Sequence, residues 1–300
     1  MERIIKSIEH TDSSFRKSIK KLKEEYPFLN SFFIGQSCMG RSIPAFKIGN
    51  SDEYSLYVAA FHGSERITST ILLMYLEDIC YSIKNNLPLE GINIKNVLNK
   101  KGIIIVPKIN PDGCEISLCG AAAAGAYAKE IKRISAGDTI HWNANLRGVD
   151  INHNFSAGWH SLRNMERQMG IYGPSKTRYG GPYPESEPET AALTALCRNF
   201  DISHAIALHS QGKVIYWRYG DKIPKKSEKM VSIMASASGY RPDDPTGLAV
   251  GGGFKDWFIE TFNRPAFTVE VGLGENPLPA EECENIYNEI KKMLVISSAF

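Results

Sequence analysis

The chain has 300 residues, of which 43% are hydrophobic and 23% charged, with a formal net charge of +2. That balance is ordinary for a globular protein, supplies a substantial core without crosslinks, and excludes the strongly basic face of a nucleic-acid binder. No apolar run approaches the roughly 20 residues that span a bilayer, and Met1-Glu2-Arg3-Ile4-Ile5-Lys6 lacks the apolar segment of an export signal, so the expectation is a cytoplasmic protein without membrane or nucleic-acid partners.

Along the chain, residues 11–26 have Phe15, Ile19 and Leu22 at helical spacing behind a Thr11/Asp12 cap, with the basic residues Arg16, Lys17, Lys20, Lys21 and Lys23 on the solvated side. Phe32-Phe33-Ile34-Gly35 and Ile43–Ile48 flank Met39-Gly40-Arg41 and read as a hairpin. Leu56–Phe61 is a continuous apolar run, the signature of a strand buried on both faces, and it runs into His62. Helical spacing over 66–84 stops before Asn85-Asn86 and Pro88. Ile103–Val106 is a second buried strand, and Asn110-Pro111-Asp112-Gly113 after it reads as a turn. A helix is expected over 121–134. The stretch 156–187, rich in Gly, Pro, Tyr and Ser, reads as one long irregular connection.

Ser186-Glu187-Pro188-Glu189 opens a helix to about Asn199, with proline in its first turn. Ala205–Leu208 is a third buried strand ending at His209, and Val214–Trp217 a further one. Helices follow over 225–238 and Phe254–Phe262, then a strand over Ala266–Val271 carrying Glu270, and a closing helix near 280–295. Strands alternating with helices imply an α/β fold: a mixed, mostly parallel twisted sheet with helices on both faces, read as a single domain over 1–300 that includes the N-terminal helix and hairpin. In such sheets ligands bind beyond the carboxyl ends of strands, where His62 and His209 fall. The six cysteines, Cys38, Cys80, Cys114, Cys119, Cys197 and Cys283, form no C-x-x-C pair and read as reduced thiols.

His62 and Glu65, three residues apart, can grip one metal ion from two sides. His209 can complete a set of two His and one Glu, the common form of a hydrolytic zinc site with an open fourth position. Glu270 is then the separate carboxylate that such chemistry needs as a base. His62-x-x-Glu65, Asn110-Pro111-Asp112-Gly113, Gly148-Val149-Asp150-Ile151-Asn152, His209-Ser210 and Thr268-Val269-Glu270, in that order, resemble the zinc metallocarboxypeptidase family over roughly residues 30–297.

The resemblance implies one zinc ion on His62, Glu65 and His209, with Glu270 as general base and later acid. It implies that Asp150 holds the remote nitrogen of His62 and that Asn152 contacts a substrate carboxylate. The chain departs from the family pattern at His153, where an arginine clamp is expected. It departs at Asn143, where a carbonyl-polarising arginine is expected, with Arg147 nearby as a substitute. It also departs at Leu248, in place of a mobile tyrosine, and at Lys255, a cation at the base of the pocket for the residue after the cut. His153 and Lys255 are thus candidate substrate contacts. Trp142–Asp150, His209–Gly212 and Gly252–Trp257 look like the bacterial branch that cuts γ-D-glutamyl-L-diamino acid bonds in cell-wall peptides. The expected partner is therefore a peptide or muropeptide, with oligomeric state left open. A carboxypeptidase acting on ordinary L-peptides, and a muropeptide-binding protein without turnover, are the alternatives.

Overall fold

The computed structural model describes residues 3–8 and 10–300; Met1 and Glu2 of the N-terminal segment read above lie outside the described residues. Eighteen elements follow in order. They are α1 (Asp12–Glu25), β1 (Asn30–Gln36), β2 (Ser42–Ile48), β3 (Glu53–Ala59), α2 (Ile67–Asn85), α3 (Ile94–Leu98), β4 (Gly102–Val106), α4 (Pro111–Cys119), α5 (Ala128–Ser135), α6 (Trp159–Gln168), α7 (Pro188–Asn199), β5 (Asp201–His209), β6 (Val214–Tyr216), α8 (Ser227–Ser238), β7 (Arg241–Asp243), α9 (Phe254–Phe262), β8 (Ala266–Glu270) and α10 (Cys283–Ser297). The strands form one sheet in the order β1-β2-β4-β3-β5-β8-β6-β7. Its centre, β4-β3-β5-β8, is parallel, and antiparallel pairings appear towards the two edges.

Period-two alternation sends the central strands into two cores. Tyr57, Ala59, Ile103, Ile105, Ile206, Leu208, Phe267 and Val269 face α1, α2, α8 and α10. Leu56, Val58, Ile104, Val106, Ala205, Ala207 and Ala266 face α7 and α9. Central strands buried on both sides therefore read as unbroken apolar runs. From β3 the chain goes to β4 on one side and then to β5 on the other. The sheet thus has its topological switch between β3 and β5, the place where a crevice opens at the strand ends.

Three sequence expectations need correction. Asn110-Pro111-Asp112-Gly113 is not a free turn but the start of α4: Asn110 Oδ1 accepts from Gly113 N at 2.9 Å, and Pro111 fills the first helical position. The stretch 156–187 is not wholly irregular, since it contains α6. The helix expected over 121–134 is a 3-10 segment, Ala121–Tyr127, broken at Gly125 (φ 56°), followed by α5. Among the described residues no helix is long and apolar enough to cross a membrane. None of the six cysteines is in a disulfide, with Cys119 exposed and Cys38 half-buried.

Candidate metal centre and substrate cleft

β3 ends at Ala59 because Ala60 takes a left-handed turn (φ 56°), fixed by Ala60 N donating to Thr68 Oγ1 at 3.0 Å. The turn delivers His62 and a 3-10 turn, Gly63–Glu65, to the switch point. Asn110 ties this segment down. Its Nδ2 donates to Phe61 O (2.9 Å), Ala144 O (3.2 Å) and Asn143 O (3.3 Å), and Gly63 N also donates to Asn143 O (3.2 Å). Three chain segments, 61–65, 110–113 and 143–144, are thereby tied together, chiefly by the Asn110 side chain bonding to main-chain carbonyls. No side chain fits between them: a Cβ on Gly63 would overlap Gly113 and Trp142 main-chain atoms.

β5 delivers His209, which stands opposite Glu270 of β8 in the sheet register. The His209 ring stacks on Phe61 (centroids 5.0 Å, 20° between planes). Glu65 lies between the two imidazoles: Oε1 is 2.8 Å from His62 Nδ1 and Oε2 is 3.0 Å from His209 Nδ1. Ligand atoms of His62, Glu65 and His209 lie within 4.8 Å of one another. Burial would raise the Glu65 carboxyl, but the His62 and His209 rings outweigh it and hold it low. Burial likewise opposes charge on His62, yet Glu65 and Asp150 together raise its proton affinity well above the ordinary value. The pocket therefore favours positive charge at the point where both Nδ1 atoms converge. Two imidazole nitrogens and a carboxylate meeting there form the donor set that zinc takes.

Asp150 holds the outer side of His62, with Oδ1 3.1 Å from Nε2. The same carboxylate accepts from Asn152 N (3.1 Å) and Arg178 N (2.9 Å). Glu270 is pushed up, by burial first and by the neighbouring Glu65 charge second. It lines, with the cluster, a cleft of about 540 Å³.

The other sequence-predicted residues divide. Asn152, His153 and Lys255 line the cleft, as does Leu248. Asn152 Oδ1 accepts from Phe254 N at 3.0 Å, which leaves Nδ2 to face a ligand. His153 is buried, with Nδ1 2.8 Å from Glu166 Oε1, and burial lowers its proton affinity below the ordinary value. With Nδ1 committed to Glu166, the ring has one nitrogen left and cannot form the two-pronged clamp of an arginine. The Lys255 ammonium is bonded to Asp256 and to the Arg218 carbonyl. Arg147 does not line the cleft; its half-exposed guanidinium lies 3.7 Å from Glu187 Oε2, and its N–H is held by Asn145 Oδ1. Sequence reasoning missed Arg178, which lines the cleft from a Gly- and Pro-rich stretch carrying no motif.

Cys38, Glu187 and Glu189 form a second group with ligand atoms within 4.8 Å. That group is satisfied internally: Asn145 Nδ2 bridges Glu187 (2.7 Å) and Glu189 (3.1 Å), and Cys38 N donates to Glu189 (3.2 Å). It braces the loop that carries Asp150.

The profile of the family described as zinc carboxypeptidase matches residues 15–293. The chain is 35% identical over 279 residues to gamma-D-glutamyl-L-diamino acid endopeptidase 1 of Lysinibacillus sphaericus, covering 92% of this chain and 69% of that protein. Among solved structures, bovine thrombin-activatable fibrinolysis inhibitor in complex with tick carboxypeptidase inhibitor superposes with a TM-score of 0.73 at 20% identity, covering 98% of this chain and 97% of that one. The murein-tripeptide amidase MpaA of Escherichia coli O157 superposes with a TM-score of 0.55 at 20% identity, covering 90% of each chain. At these identities the superpositions speak to the fold, while the profile and the nearer relative settle membership: the chain belongs to the zinc carboxypeptidase family and is a metallopeptidase, a hydrolase that works with one zinc ion.

Proposed function

We propose that this peptidase hydrolyses the γ-D-glutamyl-L-diamino acid bond of peptidoglycan-derived peptides, with meso-diaminopimelate as the diamino acid and the cytoplasm as its setting. The observation that carries the reading is the buried Lys255–Asp256 pair in the cleft. The distal end of meso-diaminopimelate bears an ammonium and a carboxylate, and a cation–anion pair held side by side is the complement of that end. The similarity to a protein named for this bond agrees with it.

In this reading His62, Glu65 and His209 hold the metal, and Asp150 fixes the tautomer of His62 so that Nδ1 stays available. Zinc bound there would supply a Lewis acid and would lower the pKa of a bound water towards ~7. Glu270, whose proton affinity is raised by burial so that its ionised carboxylate is a stronger base, takes a proton from the attacking water and returns it to the departing α-amine. Asn152 Nδ2 donates to a carboxylate of the substrate, and Lys255 with Asp256 receives the distal end. Arg147 is given no part in the reaction, since its guanidinium is directed at Glu187.

The test is incubation of zinc-loaded protein with L-Ala-γ-D-Glu-meso-diaminopimelate, with products read by mass spectrometry. Free diaminopimelate and L-Ala-D-Glu are expected. An intact tripeptide beside trimmed ordinary L-peptides would overturn the proposal in favour of a carboxypeptidase.

A further inference from the structure

Four carboxylates line the cleft, Glu65, Asp150, Asp256 and Glu270, against two permanent cations, Lys255 and Arg178. Lys255 is neutralised by Asp256 and capped by the Arg218 carbonyl. Arg178 differs: it is exposed to the cleft, and among the described residues its guanidinium makes no hydrogen bond or ion pair. Its backbone, by contrast, is fixed. Arg178 N donates to Asp150 Oδ2 at 2.9 Å, Thr177 Oγ1 approaches the same oxygen at 3.5 Å, and Asp150 N donates back to Tyr179 O at 2.8 Å. Arg178 adopts φ 65°, a left-handed conformation uncommon for a long side chain. Because Asp150 also binds His62 Nε2, one carboxylate sets both a metal ligand and the base of this arginine.

Arg178 lies beside the His153 ring, where its charge adds to the burial that lowers that ring's proton affinity. An unpaired guanidinium on a fixed backbone, in the same cleft as the His153 ring and Asn152, whose Oδ1 is taken by Phe254 N and whose Nδ2 remains to donate, matches a planar carboxylate that accepts two hydrogen bonds. We propose that Arg178 is the carboxylate anchor of the cleft. With Asn152 it receives the free carboxylate on the L-centre of the departing diamino acid, so the enzyme requires that residue to be terminal. The inference rests on the reading of the site as a γ-D-glutamyl-diamino acid peptidase. It also relocates the clamp from position 153, where an arginine is absent, to a loop 25 residues later.

The experiment compares wild type, Arg178→Gln and Arg178→Lys, each verified for zinc content, on L-Ala-γ-D-Glu-meso-diaminopimelate and on the same peptide carrying a carboxamide at the L-centre. Amidation is expected to lower kcat/KM of the wild type roughly 10- to 100-fold, the range for a hydrogen bond to a charged group. Arg178→Gln is expected to show that loss already on the free acid, through KM, and to be nearly insensitive to amidation. Arg178→Lys should fall between the two. If amidation costs Arg178→Gln as much as it costs the wild type, the anchor is elsewhere and the proposal fails. It fails equally if Arg178→Gln loses kcat to the same extent on both peptides, which would assign the side chain to the scissile carbonyl. Cleavage of neither peptide by the wild type would instead remove the underlying reading of the bond, and the anchor with it.

Discussion

Replacing Gly63 by alanine tests how the proposed metal ligands are positioned. A Cβ at Gly63 would lie 2.5 Å from Gly113 C and closer still to Gly113 O and Trp142 O. All three are main-chain atoms, so no rotamer change relieves the overlap. Restoring ordinary contact needs a displacement of about 1 Å between the 62–65 segment and its neighbours. Overpacking of this kind costs about 3 kcal/mol. For 300 residues, whose unfolding entropy is roughly 0.6 kcal/mol/K, that lowers the melting midpoint by about 5 °C. The larger consequence is chemical. His62 and Glu65 flank Gly63, and a metal site holds its ligand distances to about 0.2 Å. Gly63→Ala should therefore weaken zinc at least tenfold, measured by competition with a chelator, alongside the lower midpoint in metal-free protein. Gly173→Ala is the control, since nothing lies within 4 Å of its Cβ and its φ is not left-handed. A Gly63→Ala protein matching Gly173→Ala in both zinc affinity and midpoint would refute the reasoning.

Asp150→Asn keeps the shape but removes the charge behind His62, and zinc affinity should fall roughly 10- to 100-fold in the same competition; unchanged affinity would deny Asp150 its hold on the ligand. Lys255→Met should raise KM for the tripeptide while zinc content stays full, and should also lower the melting midpoint because Asp256 is left buried without its cation; loss of zinc with KM unchanged would place Lys255 wrongly. His204 is buried, its Nε2 has no hydrogen-bond partner among the described residues, and burial pushes its pKa from 6.5 down to about 3. The unfolded chain binds this proton first, so the stability it protects is complete above about pH 6.5 and is lost progressively as pH falls towards 3. His204→Gln should flatten the acid limb of stability by about 1 kcal/mol per pH unit near pH 5, read by denaturant titration, and an unaltered limb would contradict the assignment.

Much of the frame was legible because its signals are local. The central strands are apolar throughout, as burial on both faces demands, and His62, His209 and Glu270 were placed at or near strand ends from sequence order alone. The misreadings have physical causes. Asn followed by Pro serves both a turn and a helix start, and only the bond from Gly113 N to Asn110 Oδ1 decides between them. α6 buries Trp159, Leu162, Arg163 and Glu166, a proper helical stripe. Half of that stripe is charged and paired inside, so it reads as surface. Arg147 stands close to Asp150 in sequence, but the Asn145 turn directs it to Glu187. Arg178 had no sequence signal, because its position depends on a contact with Asp150, 28 residues away.

In the proposed mechanism His62, Glu65 and His209 hold the metal while Glu270 does the proton work without binding it. The most direct measurement determines zinc per chain and turnover of the tripeptide on the same preparations of wild type, Glu270→Gln and His209→Ala. Glu270→Gln should keep its zinc and lose turnover, and His209→Ala should lose both. A Glu270→Gln protein that still turns over, or a His209→Ala protein with full zinc, would contradict the account.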